Sequence, residues 1–124
     1  MRILESAENY LETVLQLTER NGSVRSIDIA NELNFSKPSV SVAMKNLRKH
    51  GYLKVDSKGY ITLTEKGYKI AKTMNERHVL LRDWLISLGV NEETASNDAC
   101  RIEHVISAET FEAIKRHAGL NESD

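Results

Sequence analysis

Apolar residues recur along this chain in two rhythms, and the change between them sets out the elements. From Ile3 to Glu19 the apolar positions include Ala7, Tyr10, Leu11, Val14, Leu15 and Leu17, the spacing of one face of an amphipathic helix. Asn21-Gly22-Ser23 ends it, since glycine accepts the backbone turn that follows a helix. Ser26 is the expected cap of a short second helix with Ile27, Ile29, Ala30 and Leu33 apolar, and Asn34-Phe35 makes a tight turn. Ser36 is the expected cap of a third helix, with Pro38 in the first turn, where its missing N–H costs nothing. Within that helix Val40, Ala43, Met44 and Leu47 form a packing stripe, while Ser39, Ser41, Val42, Lys45, Asn46 and Lys49 face out. Gly51 ends it.

The rhythm then shortens to two. Tyr52-Leu53-Lys54-Val55 and Tyr60-Ile61-Thr62-Leu63 alternate apolar with polar, and Asp56-Ser57-Lys58-Gly59 between them predicts a β-hairpin turning on glycine. Thr64 opens a long helix to about Leu88, broken by Gly89. Asn91-Glu92-Glu93-Thr94 opens another, to about Ile106. Ser107 with Glu109 opens a last one, to about Ala118, after which Leu120 to Asp124 should fray. Helix, short helix, turn, helix, hairpin is the order of a winged helix-turn-helix. The expected fold is mainly α with a small β-hairpin, divided into a winged helix-turn-helix over 1–63 and a helical domain over 64–124.

A hydrophobic fraction of 40% and a charged fraction of 28% describe a folded globular chain rather than a disordered one. No apolar run approaches the roughly 18 residues of a membrane span, so no membrane partner is expected. Met1 to Ser6 lacks the apolar stretch of a signal peptide, and one cysteine allows no internal disulfide. Both fit a reducing cytoplasm. The net charge of −1 argues by itself against nucleic acid, but its distribution reverses the argument. Between Ser36 and Tyr60 stand Lys37, Lys45, Arg48, Lys49, Lys54 and Lys58 against the single acid Asp56. From Leu63 onward acids outnumber bases, so a basic middle precedes an acidic C-terminal half.

A helix that enters the major groove presents small hydrogen-bonding side chains near its N-terminus. Ser36, Lys37, Pro38, Ser39 and Ser41 meet that need, and the Pro38 ring suits a thymine methyl. Lys37, Lys45 and Lys49 suit phosphates, and Lys58 at the hairpin tip suits an adjacent phosphate or the minor groove. Each has a plainer use as a helix cap, a helix starter or a solvated surface charge. A basic third helix followed by a basic hairpin in an otherwise acidic chain favours double-stranded DNA over a protein-interaction module.

The second chemical cluster is Asp98-Ala99-Cys100-Arg101-Ile102-Glu103-His104. On a helix, steps of three and four place Cys100 within about 60° of both Glu103 and His104. A thiolate, a carboxylate and an imidazole on one stripe can bind a transition metal. The plain reading makes Cys100 a small core residue and His104 a core histidine. The first helix offers Asn9 and Glu12, and the long helix offers His78.

These residues carry a resemblance. The chain resembles the diphtheria toxin repressor and manganese transport regulator (DtxR/MntR) family of metal-dependent repressors. It does so in Ala7-Glu8-Asn9-Tyr10-Leu11-Glu12, in Val24 to Leu47, in Glu76-Arg77-His78 and in Ala99-Cys100-Arg101-Ile102-Glu103-His104-Val105. The resemblance implies a homodimer whose N-terminal winged helix binds an inverted-repeat operator and whose C-terminal helices dimerise and hold metal. It implies that Cys100, Glu103 and His104 form the activating site, completed by position 9, with Glu12 and His78 at a second metal position. It makes Ser36, Pro38 and Ser39 candidates for base contact.

The chain departs from the family pattern at Asn9, where the iron branch has Met and the manganese branch Asp. It departs again at Cys100, where the manganese branch has Glu. Arg82 and Ser96 stand where the iron branch's ancillary site supplies Glu and His. The expected corepressor is Fe(II) or Mn(II), with Zn(II), Co(II) and Ni(II) also compatible with a Cys–His pair. The expected role is a repressor of metal-uptake genes, without small-molecule substrate or catalysis. The alternative is a winged-helix regulator indifferent to metal, with Cys100 structural or redox-active. A metalloenzyme on the same ligands would need a nucleophile or base pair, for which the sequence offers no signal.

Overall fold

Most helices begin where a side-chain oxygen can take up an otherwise unpaired backbone N–H. In a computed structural model, which describes residues 5–122 and the side-chain surroundings of 6–118, the elements are α1 (Glu5–Asn21), α2 (Ser26–Leu33), α3 (Lys37–Lys49), β1 (Leu53–Val55), β2 (Ile61–Leu63), α4 (Glu65–Ser87), α5 (Glu92–Val105) and α6 (Ala108–Glu122). The hydroxyl of Ser36 accepts from the Ser39 N–H at 3.3 Å, that of Thr64 from Gly67 at 3.2 Å and that of Ser107 from Thr110 at 3.1 Å. The Asn91 side chain accepts from Glu93 and Thr94.

Two expectations shift. The cap of α2 is Arg25, not Ser26, because the Asp28 carboxylate three residues on reaches back to the Arg25 N–H at 2.9 Å. The acid thereby closes the helix start without a hydroxyl. At the other end, α6 continues past Ala118 to Glu122, since a lone interior glycine costs a helix only about 1 kcal/mol and no proline follows. Ile3, Ser123 and Asp124 lie outside the described residues.

The chain divides into two compact units, up to Thr73 and from Met74 onward. The first is built on a core of Leu11, Val14, Val24, Ile29, Val40, Leu53 and Ile61, all 2% exposed or less, from α1, α2, α3, the hairpin and the segment between α1 and α2. The strands are antiparallel, with Leu53 opposite Leu63 and Val55 opposite Ile61. Asp56 organises the hairpin turn: its carboxylate accepts from the Lys58 and Tyr60 N–H groups, both at 2.9 Å, while Gly59 takes a φ of 87°. The Ile61 N–H donates to the Val24 carbonyl at 2.7 Å, fixing the hairpin to the chain before α2. Ala71 and Ile70 belong to this core, so the unit takes in the first turns of α4 beyond residue 63.

The second unit holds the remainder of α4 with α5 and α6. Its core is smaller: Leu81, Ala99 and Phe111 are buried, with Leu80, Trp84, Ile102, Ile106 and Ile114 packed half-buried against them. No described helix is long and apolar enough to cross a membrane.

Gly67 joins α4 to the hairpin by close approach. A Cβ there would fall inside the contact radius of the Tyr52 carbonyl oxygen, which also accepts the Thr64 N–H at 3.2 Å. Alanine in place of a helical glycine ordinarily stabilises by about 1 kcal/mol. At Gly67 the sign should reverse, with a loss of about 1–3 kcal/mol as the backbone is forced apart. Urea unfolding of Gly67→Ala checks this, and a raised midpoint would refute the contact.

Candidate metal centre and nucleic-acid face

On α5, the three- and four-residue steps from Cys100 bring one donor atom each from Cys100, Glu103 and His104 within 4.8 Å of one another. Glu103 is fully buried, the His104 side chain is 2% exposed and Cys100 is half-buried. Two ligands of one ion can stand no farther apart than two metal–ligand bonds, about 4.6 Å for sulfur. The cluster is therefore compact enough to close on a single transition-metal ion once its side chains draw together. Its mixed donors, one soft thiolate, one intermediate imidazole and one hard carboxylate, suit such an ion better than Mg²⁺ or Ca²⁺.

Glu103 is the hub. One carboxylate oxygen lies 2.9 Å from Nδ1 of His78 on α4, and the other lies 3.7 Å from Nε2 of His104. The carboxylate thus stands between an imidazole of its own helix and one from the neighbouring helix. His78 is the fourth predicted ligand that the second unit brings to this cluster. Asn9 and Glu12 lie on α1 in the first unit: Asn9 is half-buried, and Glu12 is buried, its carboxylate accepting from the Gln16 amide at 3.3 Å. Arg82 pairs with Asp83 at 3.0 Å, an arrangement unlike a metal ligand.

The predicted DNA-facing residues form a different kind of surface. Ser36, Lys37, Pro38, Ser39, Ser41, Lys45 and Lys49 on α3 and its cap are all exposed, as is Lys58 in the hairpin turn. The Ser36 hydroxyl is engaged twice, accepting from the Ser39 N–H and donating to the Ser39 hydroxyl at 2.8 Å. Of that pair, Ser39 retains a proton to give to a base or a phosphate. Arg25 was not among the residues singled out from the sequence. Its guanidinium lies 4.4 Å from the centre of the Tyr60 ring, at the foot of the hairpin.

Two family models divide the chain between them. Residues 2–61 match the N-terminal DNA-binding domain of the iron dependent repressor, and residues 64–124 match its metal-binding and dimerisation domain. The chain belongs to the iron-dependent repressor family. An HTH-type transcriptional regulator of Methanocaldococcus jannaschii is 36% identical over 113 residues, 90% of each chain. The transcriptional regulator MntR of Bacillus subtilis is 38% identical over 109 residues, covering 88% of this chain and 77% of its own. Among solved structures, the manganese regulator SloR superposes with a TM-score of 0.81 at 25% identity, over 96% of this chain and 55% of its own. A manganese-dependent transcriptional repressor in complex with manganese superposes with a TM-score of 0.84 at 26% identity, over 91% of this chain and 52% of its own. The chain thus spans about half the length of those two structures. The named relatives are transcriptional regulators, not enzymes.

In the second unit of this family member, the residue that sequence reasoning missed is Arg77. Its guanidinium donates to the Glu103 carbonyl at 3.0 Å and to the Ile106 carbonyl at 3.4 Å, and lies 5.2 Å from the centre of the Phe111 ring. It therefore neutralises the carbonyl end of α5 and holds the start of α6 beside it. Nothing local marks this role, because the partners stand 26 and 29 residues away. Arg77→Leu should lower unfolding stability by about 2–3 kcal/mol, the scale of losing a charged donor to buried carbonyls. Chemical denaturation without metal measures this, and an unchanged midpoint would show that water serves those carbonyls equally well.

Proposed function

We propose that this protein is a metal-dependent transcriptional repressor, with Fe(II) or Mn(II) as corepressor, that represses metal-uptake genes in the cytoplasm. The observation that carries the reading is the convergence of Cys100, Glu103 and His104 within 4.8 Å on one face of α5. A bound divalent ion supplies the positive charge that lets a thiolate and a carboxylate share so small a volume. Cys100, Glu103 and His104 hold it, and His78 orients the Glu103 carboxylate or joins the ligand set. The family resemblance adds Asn9 and Glu12 from α1.

On DNA, Pro38, Ser39 and Ser41 meet base edges or the sugar-phosphate chain, with Ser36 setting the start of the helix. Lys37, Lys45, Lys49 and Lys58 neutralise phosphates, which positions the protein without selecting sequence. Two copies of the chain present two recognition helices to the halves of an inverted repeat. Metal and DNA affinities are then linked, each raising the other by the same factor. Likeness to a manganese regulator and to a manganese-dependent repressor supports Mn(II), while the Cys100 thiolate supports Fe(II) or a later ion.

The deciding experiment is capture of genomic DNA by the purified chain under anaerobic conditions, with Fe(II), with Mn(II) and with a chelator. One set of fragments should be enriched with metal and lost with chelator, and the more effective ion names the corepressor. Equal enrichment in chelator would overturn metal control. Glu103→Ala should abolish the metal response, by at least tenfold in DNA affinity, while leaving the helical content intact by circular dichroism. A response equal to that of the parent would remove Glu103 from the site.

A further inference from the structure

Val42 has no structural reason to be where it is. It is 60% exposed in the middle of α3, a position where a β-branched side chain lowers helix propensity and buries little. At about 100° per residue it lies 160° from Val40 and 140° from Leu47, the buried stripe, and so stands at the centre of the outward face. Its neighbours one turn away are Pro38, Ser39, Lys45 and Asn46, all exposed. Pro38 and Val42 thus form a short apolar ridge, flanked by hydroxyl and amide groups on one side and by Lys45 on the other. The ridge lies in the segment where six bases meet a single acid. An apolar strip set in positive charge on a recognition helix complements one feature of duplex DNA: a thymine C5-methyl group between phosphate rows in the major groove.

Resting on the reading of α3 as the DNA-facing helix, we propose that Val42 is a specificity-determining residue that reads a thymine methyl. Four residues separate it from Pro38, about 6 Å along the helix. With the helix lying along the groove, that distance corresponds to about two base-pair steps of 3.4 Å. Val42 therefore selects a second thymine beyond the one at Pro38. The contact is apolar and contributes discrimination without phosphate neutralisation.

The test uses the full chain and the duplex it enriches most strongly from a random-sequence pool in the presence of its activating metal. Each thymine of a half-site is replaced in turn by deoxyuridine, which removes the methyl group and nothing else. At one thymine, methyl loss should weaken binding of the parent about fourfold, the scale of one buried methyl group. For Val42→Ala the same replacement should change affinity by less than twofold. Val42→Thr, of similar shape but with a hydroxyl, should fall between them. The salt dependence of binding should be equal in all three, because the lysines are untouched. Thermal unfolding of Val42→Ala should match or exceed that of the parent, since alanine favours the helix. If every deoxyuridine substitution affects parent and Val42→Ala alike, Val42 does not read thymine and the inference fails alone. If the chain enriches no duplex with any metal, the DNA-binding reading fails and takes this inference with it.

Discussion

The second unit is organised around a carboxylate that water does not reach. Glu103 is fully buried in a unit whose small apolar core is built on Leu81, Ala99 and Phe111. An isolated carboxylate in such surroundings costs several kcal/mol, so its position must be repaid by neighbours. The His78 imidazole does so at one oxygen, at 2.9 Å, while the Arg77 guanidinium, on the Glu103 backbone carbonyl at 3.0 Å, fixes the residue in place. Both come from adjacent positions on α4. The start of α5 at Asn91 and its end at Ile106 follow from local capping, and its rotation puts Ala95, Ala99 and Glu103 on one buried stripe, with Glu103 against that pair. Once Glu103 faces inward, Cys100 and His104, one turn and one residue away, are carried to the same place.

The first unit solves the opposite problem. The side chains proposed to meet DNA are exposed and carry no burial cost, so they depend on the core beneath them only for position. Val40, Met44 and Leu47 fix one face of α3, and the remaining face is presented to solvent by subtraction. The hairpin is held independently, through the Ile61 to Val24 hydrogen bond and the close packing of Gly67 on Tyr52. Substitutions on this outward surface should therefore separate function from folding cleanly. In the second unit, changes near Glu103 act on the candidate metal cluster and on stability at once, even where the helices persist.

This contrast also explains what the sequence made legible. Caps at Ser36, Thr64, Asn91 and Ser107 were readable because the bonds they make close within two or three residues. The hairpin was readable from its period of two and its Asp-Ser-Lys-Gly turn. The cap of α2 was misplaced by one residue because Asp28 acts backward, a contribution that a forward search for a hydroxyl overlooks. In the candidate centre, the Cys100-Glu103-His104 stripe was legible from helical spacing alone. The approach of His78 to Glu103 and the docking of Arg77 on the end of α5 were not. They join residues some 25 positions apart, and only tertiary packing brings those together.

Because Glu103 stands between His78 and the Cys100–His104 pair, the members of the cluster are not equivalent. Cys100 and His104 each contribute one donor to one side of the carboxylate, and His78 contributes on the other. Removing either side leaves the carboxylate with a partner and the core with most of its compensation. Removing Glu103 severs the connection between the sides, so effects at the three positions should not add. The buried carboxylate is therefore the group through which the His78 and His104 imidazoles act on each other. A cation bound beside it would relieve the cost that the fold otherwise meets with His78. Occupancy and the internal stability of this helical unit would then be coupled through the same carboxylate, before any interaction with DNA is considered.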